Sequence, residues 1–336
     1  MPQNVNDLPK TYKSWANGYK KLIDTAYKKG EDFRKGIFSV MPTENWEDRI
    51  VEIGTVAGLS AWAVGGRANQ SDIKEGYDKR LVQFRYGKEV AIGRVAEKFQ
   101  GYDVRLTKRA TRGLGTAAYL LQQKAAFSIL SYATADTNTY LTGIKGTTVS
   151  ALGPDGKRFA STLHPCSPTN SSTWSNVLAD NAAVGEDALK AMIENLNNQL
   201  DDRGNRRHFG QGGYIWVVPL EEFAEASRIV GSDLRSGVSD NDMNVYKGGF
   251  NGRPITVRWV PWLSEVSSTA HFLIARDAME DENLLVLESQ PVLIDDYMDD
   301  STKTAYVRVE YIAETGFVSG RGVCVSAGTG TGTYTA

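Results

Sequence analysis

Residues 103–132 read DVRLTKRATRGLGTAAYLLQQKAAFSILSY. Leu106, Ala110, Leu114, Ala117, Leu121, Ala125 and Ser128 fall there at steps of three and four, the spacing that gathers side chains on one face of an α-helix. Leu120, Phe127, Ile129 and Leu130 widen that face. A run of about 28 residues reaches roughly 42 Å at 1.5 Å per residue. An average globular helix has only about 11–12 residues. This pattern predicts one long helix spanning a flat or elongated domain. Gly113-Leu114-Gly115-Thr116-Ala117-Ala118 also fits G-x-G-x-x-A. The dinucleotide fingerprint needs a strand before it, whereas Asp103–Arg112 is already helical in pattern. The glycines therefore predict a bend, or close packing against another helix.

Upstream, Ile50, Val51, Ile53, Val56, Leu59, Ala61, Trp62 and Val64 suit a strand, and Gly65–Asp72 supplies turn residues. Val82, Phe84 and Tyr86 alternate with Gln83, Arg85 and Gly87, and the alternation resumes at Val90 and Ile92. Together these predict an extended hairpin. Its charged tip, Gln70–Arg80, has little to bury, and an isolated hairpin is marginal in water, so it needs another surface. Earlier still, Tyr12, Trp15, Tyr19, Leu22, Ile23, Ala26 and Tyr27 recur at helical spacing between Lys20, Lys21, Lys28 and Lys29. Two placements suit this amphipathic arm equally: on its own domain, or on a neighbouring subunit.

Downstream, residues 133–182 read as loop. Leu189, Met192, Ile193, Leu196 and Leu200 form a helical face stopped at Asp201-Asp202-Arg203-Gly204. Tyr214–Val218 reads as a buried strand, followed by a helix over Leu220–Val230 opened by Pro219. Ile255–Val260, Phe272–Ala275 and Leu284–Leu287 are further strands, separated from that helix by a polar loop at 232–249. Thr304–Ile312 and Phe317–Val325 alternate, and the Gly/Thr-rich tail 328–336 reads as a flexible end.

The chain has 336 residues, 38 basic and 40 acidic side chains, and a net charge of −2. Length predicts two domains or one with insertions. Near-neutral charge removes a whole-chain argument for nucleic-acid binding. No apolar run approaches the ~20 residues that span a bilayer, and the N-terminus lacks a signal-peptide core. With only Cys166 and Cys324, the expectation is a cytosolic fold with free thiols. His164, His208 and His271 are the only histidines. His164 and Cys166 lack a second ligand pair for zinc. Arg203, Arg206, Arg207 and His208 read as a solvated turn rather than a phosphate contact. Tyr297-Met298-Asp299-Asp300 matches the short motif of reverse-transcriptase palms, where paired aspartates hold magnesium. The nearest plausible upstream partner, Asp233, lies in a Gly/Ser-rich loop. An acidic turn before a strand is the preferred reading of the Asp295–Asp300 cluster.

An arm, a projecting hairpin, one very long helix, an α/β region and a returning β region follow in that order. Asp155-Gly156-Lys157-Arg158-Phe159 with His164-Pro165, Trp174-Ser175-Asn176-Val177-Leu178, Val217-Val218-Pro219 and Arg321-Gly322-Val323 punctuate it, and Ile53–Leu59 leads into the hairpin. This ordered set resembles the major capsid protein of tailed bacteriophages. The resemblance implies the α+β phage major capsid fold. Residues 1–50 become an N-terminal arm and 51–99 an extended loop. Residues 100–182 and 288–327 become a peripheral domain whose spine helix spans about 103–132. Residues 183–287 become an axial domain, and 328–336 a flexible tail. It also implies a non-enzymatic protein without cofactor or metal, forming hexamers and pentamers of an icosahedral virion around double-stranded DNA after assembly in the host cytoplasm. Portal protein, a separate scaffold and decoration proteins are the implied partners, with no membrane. Inter-subunit contacts are expected at Ile73, Lys74, Tyr77, Lys79 and Arg80 in the loop tip, and at Trp15 and Tyr19 in the arm. Some family members join a loop lysine to a neighbour's asparagine; no such crosslink is expected here. The alternatives are an encapsulin-type nanocompartment shell with the same fold and, more remotely, a magnesium-dependent nucleotidyl transferase using Asp299 and Asp300.

Overall fold

The computed structural model describes residues 8–54, 75–92, 102–133, 139–140, 149–150, 152–233, 243–280, 283–299, 301 and 304–329. Helix α1 (Leu8–Lys28) precedes strands β1 (Ser39–Pro42), β2 (Glu47–Ile53), β3 (Glu75–Val82) and β4 (Phe84–Ile92), and helix α2 (Tyr102–Ser131) follows. Two short hairpins come next: β5 (Thr139–Tyr140) with β6 (Val149–Ser150), and β7 (His164–Ser167) with β8 (Asn170–Trp174). The chain continues through α3 (Glu186–Asn198), β9 (Tyr214–Val218), α4 (Phe223–Gly231), β10 (Gly249–Phe250), β11 (Arg253–Trp259), β12 (His271–Ala275) and the short α5 (Arg276–Glu280). Strands β13 (Leu284–Asp299), β14 (Thr304–Phe317) and β15 (Val323–Ser326) close it.

Two larger sheets organise these elements, in the orders β1-β13-β14-β4 and β10-β11-β9-β12-β15. In the second sheet β9 is central, parallel to β11 and antiparallel to β12. Both faces of this sheet are covered. Ile215, Val217, Phe272, Ile274, Val323 and Val325 meet the end of α2 and the root of the β13–β14 hairpin. Tyr214, Trp216, Val218, Leu273 and Cys324 meet α3 and α4. A strand buried on both faces reads as a continuous apolar run, which is why Tyr214–Val218 was legible. The first sheet is enclosed on both faces only at its root, where residues 284–287 and 313–317 are all buried; beyond it, Val307 and Val309 pack on Ile23, Leu114 and Ala118, and Tyr86 and Tyr311 lie against Leu121.

The long helix forms as expected, but its buried stripe is rotated. Thr111, Leu114, Ala118, Gln122, Ala125 and Ile129 are buried, whereas Ala110, Ala117 and Leu120 are exposed. Alanines mark helix propensity more than burial, and polar Thr111 and Gln122 hide in the seam because their groups find partners. Gly115 is the residue that permits close approach. A Cβ there would collide with the Ile23 carbonyl oxygen of α1, whereas one on Gly113 would meet nothing within 4 Å. Gly115 alone of the two is thus a helix-packing device inside a helix.

The strand alternation at Phe84–Ile92 is real, but its partner differs from the expected hairpin mate. β4 pairs with β14, while β3 pairs with β2. The chain switches sheets at Gln83. Period two says which face a residue takes, not which strand lies beside it. For the same reason the predicted tip is displaced: Glu75–Arg80 is paired strand, not turn. Trp62, Val64, Ile73 and Lys74 lie outside the described residues. The two C-terminal strands also differ from expectation. β13 is one long strand with irregular register between Glu288 and Leu293, around Pro291. Phe317 ends β14, and β15 crosses to the second sheet, so residues 288–327 are divided between two sheets.

Candidate assembly surfaces

Alternation splits the loop residues expected to contact neighbours. On β3, Tyr77, Lys79 and Leu81 turn toward the chain's own body, and Asp78, Arg80 and Val82 turn out. Leu81 is 2% exposed and seated on Gly316, where any Cβ would strike it. The Lys79 Nζ donates to the Leu152 carbonyl oxygen at 2.6 Å and sits 5.9 Å from the Phe317 ring centroid. Its aliphatic stem hides while its ammonium finds a carbonyl, as long basic side chains do. Burial lowers the Lys79 ammonium below its usual range, opposed by the Glu314 and Asp155 carboxylates. Burial also pushes the Glu314 carboxyl up to about 8, opposed by Lys79. The charged segment is expected to rest on another surface; for this face that surface is the chain's own body. The outward face is different: Arg49 donates to Asp78 at 2.8 Å and Arg80 to Glu47 at 3.3 Å, across the β2–β3 pair, and Ile53 is 76% exposed.

On the arm, Tyr19 packs with the fully buried Ile23 against Leu114, Ala118, Val307 and Val309. Trp15 lies in the part of α1 whose side chains fall outside the described structure. A buried polar joint then ties the end of the arm down. Arg34 donates to Glu288 at 2.5 Å and to Asp32 at 3.0 Å. Gln122 and Tyr311 also donate to Glu288, and Gln123 to Asp32. Burial opposes the charge on Arg34, but its hydrogen bonds to Asp32 and Glu288 outweigh that and raise its pKa further. Of the two placements read from sequence, the described part of the arm takes the first.

A second joint holds the ribbon to both sheets. Arg321 is 4% exposed and ion-paired with Glu52 of β2. Its Nε donates to the Leu200 carbonyl at 2.8 Å and its Nη2 to the Cys166 carbonyl at 2.6 Å, and the guanidinium lies 5.2 Å from the Trp174 ring centroid. Burial lowers this guanidinium to about 10, so it stays charged at neutral pH. Next to it, His164 stacks on Trp174 at 4.6 Å and its Nδ1 is 2.6 Å from the Asp155 carboxylate. Asn176 donates to the Phe159 carbonyl at 2.5 Å, and its side-chain oxygen accepts from the Ser161 amide. The segments that punctuate the sequence around 155–165, 174–178 and 321–323 thus converge in one knot of buried hydrogen bonds. Its residues were visible in the sequence. Their convergence was not, because no spacing links residue 52 to residue 321.

The described residues of the acidic cluster do not form a cation site. Asp295 accepts from Arg308 at 3.0 Å, Asp296 pairs with Lys20, and Asp299 accepts from Ser301. Asp295–Asp299 are the paired end of β13 rather than a turn, β14 follows at Thr304, and Asp300 lies outside the described residues. Asp233, the required upstream carboxylate, is paired with Lys247. Among the described residues no group of three or more metal-ligating side chains converges, and no helix is long and apolar enough to cross a membrane.

Comparison with known proteins agrees with this architecture. A family model described as phage capsid protein matches residues 79–326. No curated protein matches. The capsid of the cyanophage P-SCSP1u superposes with a TM-score of 0.52 at 12% identity, over 88% of each chain. The capsid of Ralstonia phage GP4 superposes with a TM-score of 0.50 at 15% identity, over 86% of each chain. A virus-like particle from Pyrococcus furiosus gives 0.49 at 12% identity, over 92% of this chain and 98% of that one. With a mixed α+β fold matching these capsids and a family model spanning most of its length, the chain belongs to the phage capsid protein family and is a structural protein of the virion, not an enzyme.

Proposed function

We propose that this chain is the subunit that closes an icosahedral phage head, assembling through pentamers and hexamers around double-stranded DNA in the host cytoplasm. The observation that carries the reading is the β2–β3 ribbon. One face is clamped to the body through Glu52, Lys79 and Leu81, and the other carries exposed Arg49, Asp78, Arg80 and Ile53. Two strands gain stability when a further surface covers them. In a shell that surface is a neighbouring copy, and repeated contacts of this kind are what closed symmetric assembly requires. A net charge of −2 lets many copies approach without strong repulsion and leaves packaged DNA loosely held.

In this reading residues 1–50 are the arm and 51–99 the extended loop, with Ile73, Lys74 and Arg80 reaching a neighbour. Residues 100–182 and 288–327 form the peripheral domain, with β15 lending its edge to the axial domain at 183–287. Portal, scaffold and decoration proteins are its further partners. Light scattering behind a sizing column, with negative-stain images, tests this. Megadalton shells or five- and six-membered rings are expected from the full chain. Removing residues 65–73, which leaves both paired strands of the ribbon intact, is expected to yield a folded protein that no longer closes shells. Normal shells from that deletion would sink the role given to the loop.

A further inference from the structure

Strand β4 is the outer strand of the first sheet. It pairs with β14 from Phe84 opposite Ala313 to Ile92 opposite Ala305, and among the described residues no strand pairs with its other side. Nine residues of edge offer a row of backbone donors and acceptors, a template for another strand. Arg85, Gly87, Lys88 and Glu89 along it are all exposed. Arg85 and Glu89 stand on the same sheet face, two residues either side of Gly87, Arg85 against Glu310 and Glu89 accepting from the Tyr297 hydroxyl at 2.8 Å. Gly87 is not in the left-handed region. A Cβ there would meet the Val309 carbonyl oxygen at 3.4 Å, an ordinary contact. Its own sheet therefore does not require glycine. A glycine inside a strand otherwise marks the close approach of another backbone.

We propose that β4 pairs antiparallel with β4 of a second copy across a two-fold axis through Gly87. The inference rests on the shell reading, in which copies meet across two-fold axes. Residues directly opposite in an antiparallel pair share a face. Centring the axis on Gly87 sets Arg85 opposite Glu89 of the second copy, and Glu89 opposite its Arg85. Phe84 then meets Val90, and Tyr86 meets Lys88. Centring on Arg85, Lys88 or Glu89 would oppose that residue to its own like charge. Centring on Tyr86 would set Arg85 against Gly87 and form no ion pair. Gly87 is the centre that yields two opposite-charge pairs.

The test is register-specific disulfide formation in assembled particles. Arg85→Cys and Glu89→Cys chains, one carrying a size tag, are assembled together, oxidised, and resolved on a non-reducing gel. Opposed Cβ atoms lie about 4.5–5.5 Å apart, close to disulfide reach, whereas two Cys at position 85 would be about 14 Å apart at 3.4 Å per residue. Mixed dimers are expected to exceed either same-type dimer by about fivefold or more on that geometry. The native Cys166 and Cys324 are buried, which keeps background low. Equal mixed and same-type dimers, or no dimers in particles of normal size, overturn the pairing while the shell reading stands. Should loss of Arg85 block assembly through Glu310, Gly87→Cys is expected to dimerise with itself and Lys88→Cys not; the reverse overturns the proposal. Absence of any particle from the unmodified chain overturns the shell reading and the pairing with it.

Discussion

The sheet built on β9 sends side chains into a core from both faces; the sheet of β13, β14 and β4 does so only at its root, and has an open face beyond it. Trp216, Val217 and Phe272 are fully enclosed in the first, while Leu293 and Tyr297 lie 47% and 40% exposed on the second. The ribbon of β2 and β3 goes further, with one face clamped by single side chains and the other carrying charge pairs. Enclosure therefore falls from the centre of the chain's fold toward the surfaces proposed to meet neighbours. Surfaces that must meet neighbours cannot also be buried in their own subunit. What holds them at the right angle is a small number of buried polar joints, of which Arg321 is the most connected.

The largest expected effect breaks the enclosed sheet. Trp216→Ala removes a fully buried ring between α3, α4 and β12, and should cost about 3–5 kcal/mol. Urea unfolding of the unassembled chain measures it, and a loss below about 1 kcal/mol would remove the contrast between the sheets. The next strikes the joint. Arg321→Met leaves Glu52 buried without its partner and two carbonyls without a donor, with an expected loss of about 3 kcal/mol. Adding Glu52→Gln should recover part of that loss, because it is the orphaned charge that is costly. If the double variant is no better than the single, the joint acts through packing on Trp174 instead.

The smallest effect is a slope. Burial raises the Glu314 carboxyl to about 8, above its unfolded value near 4.5. Between those values the folded chain holds a proton that the unfolded chain has released. Stability from this group is thus highest below about pH 4.5 and declines until about pH 8. Lys79 bends the profile the other way: its lowered pKa makes stability rise with pH in the window below its unfolded value of 10.5. Glu314→Gln should flatten the fall in melting temperature between pH 5 and pH 8. An unchanged slope would show that Glu314 is solvated and that the ribbon is held only by Leu81 and Arg321.

How far the sequence could be read follows the same contrast. α2 and β9 were legible because helical spacing and an unbroken apolar run are local consequences of burial. The buried face of α2 was misjudged, since alanines at 110 and 117 suit any face and Gln122 is buried only because Tyr27 and Glu288 answer it. The carbonyl and aromatic ring beside Lys79 belong to its own chain and had no signal in the sequence, because they come from residues 152 and 317. β4 was recognised as a strand and assigned the wrong neighbour.

Pattern and order along the chain were enough to determine the long helix, the buried strand β9 and the family, and to narrow the glycines of the long helix to a bend or a close packing. Local periodicity and composition carry that information, because each residue's preference is set within a few positions. Only the tertiary structure decided which strands pair, which side of the ribbon turns inward, and how Glu52, Cys166, Trp174, Leu200 and Arg321 come together. Those outcomes depend on partners far apart in sequence, where burial and charge compensation must be satisfied at the same time.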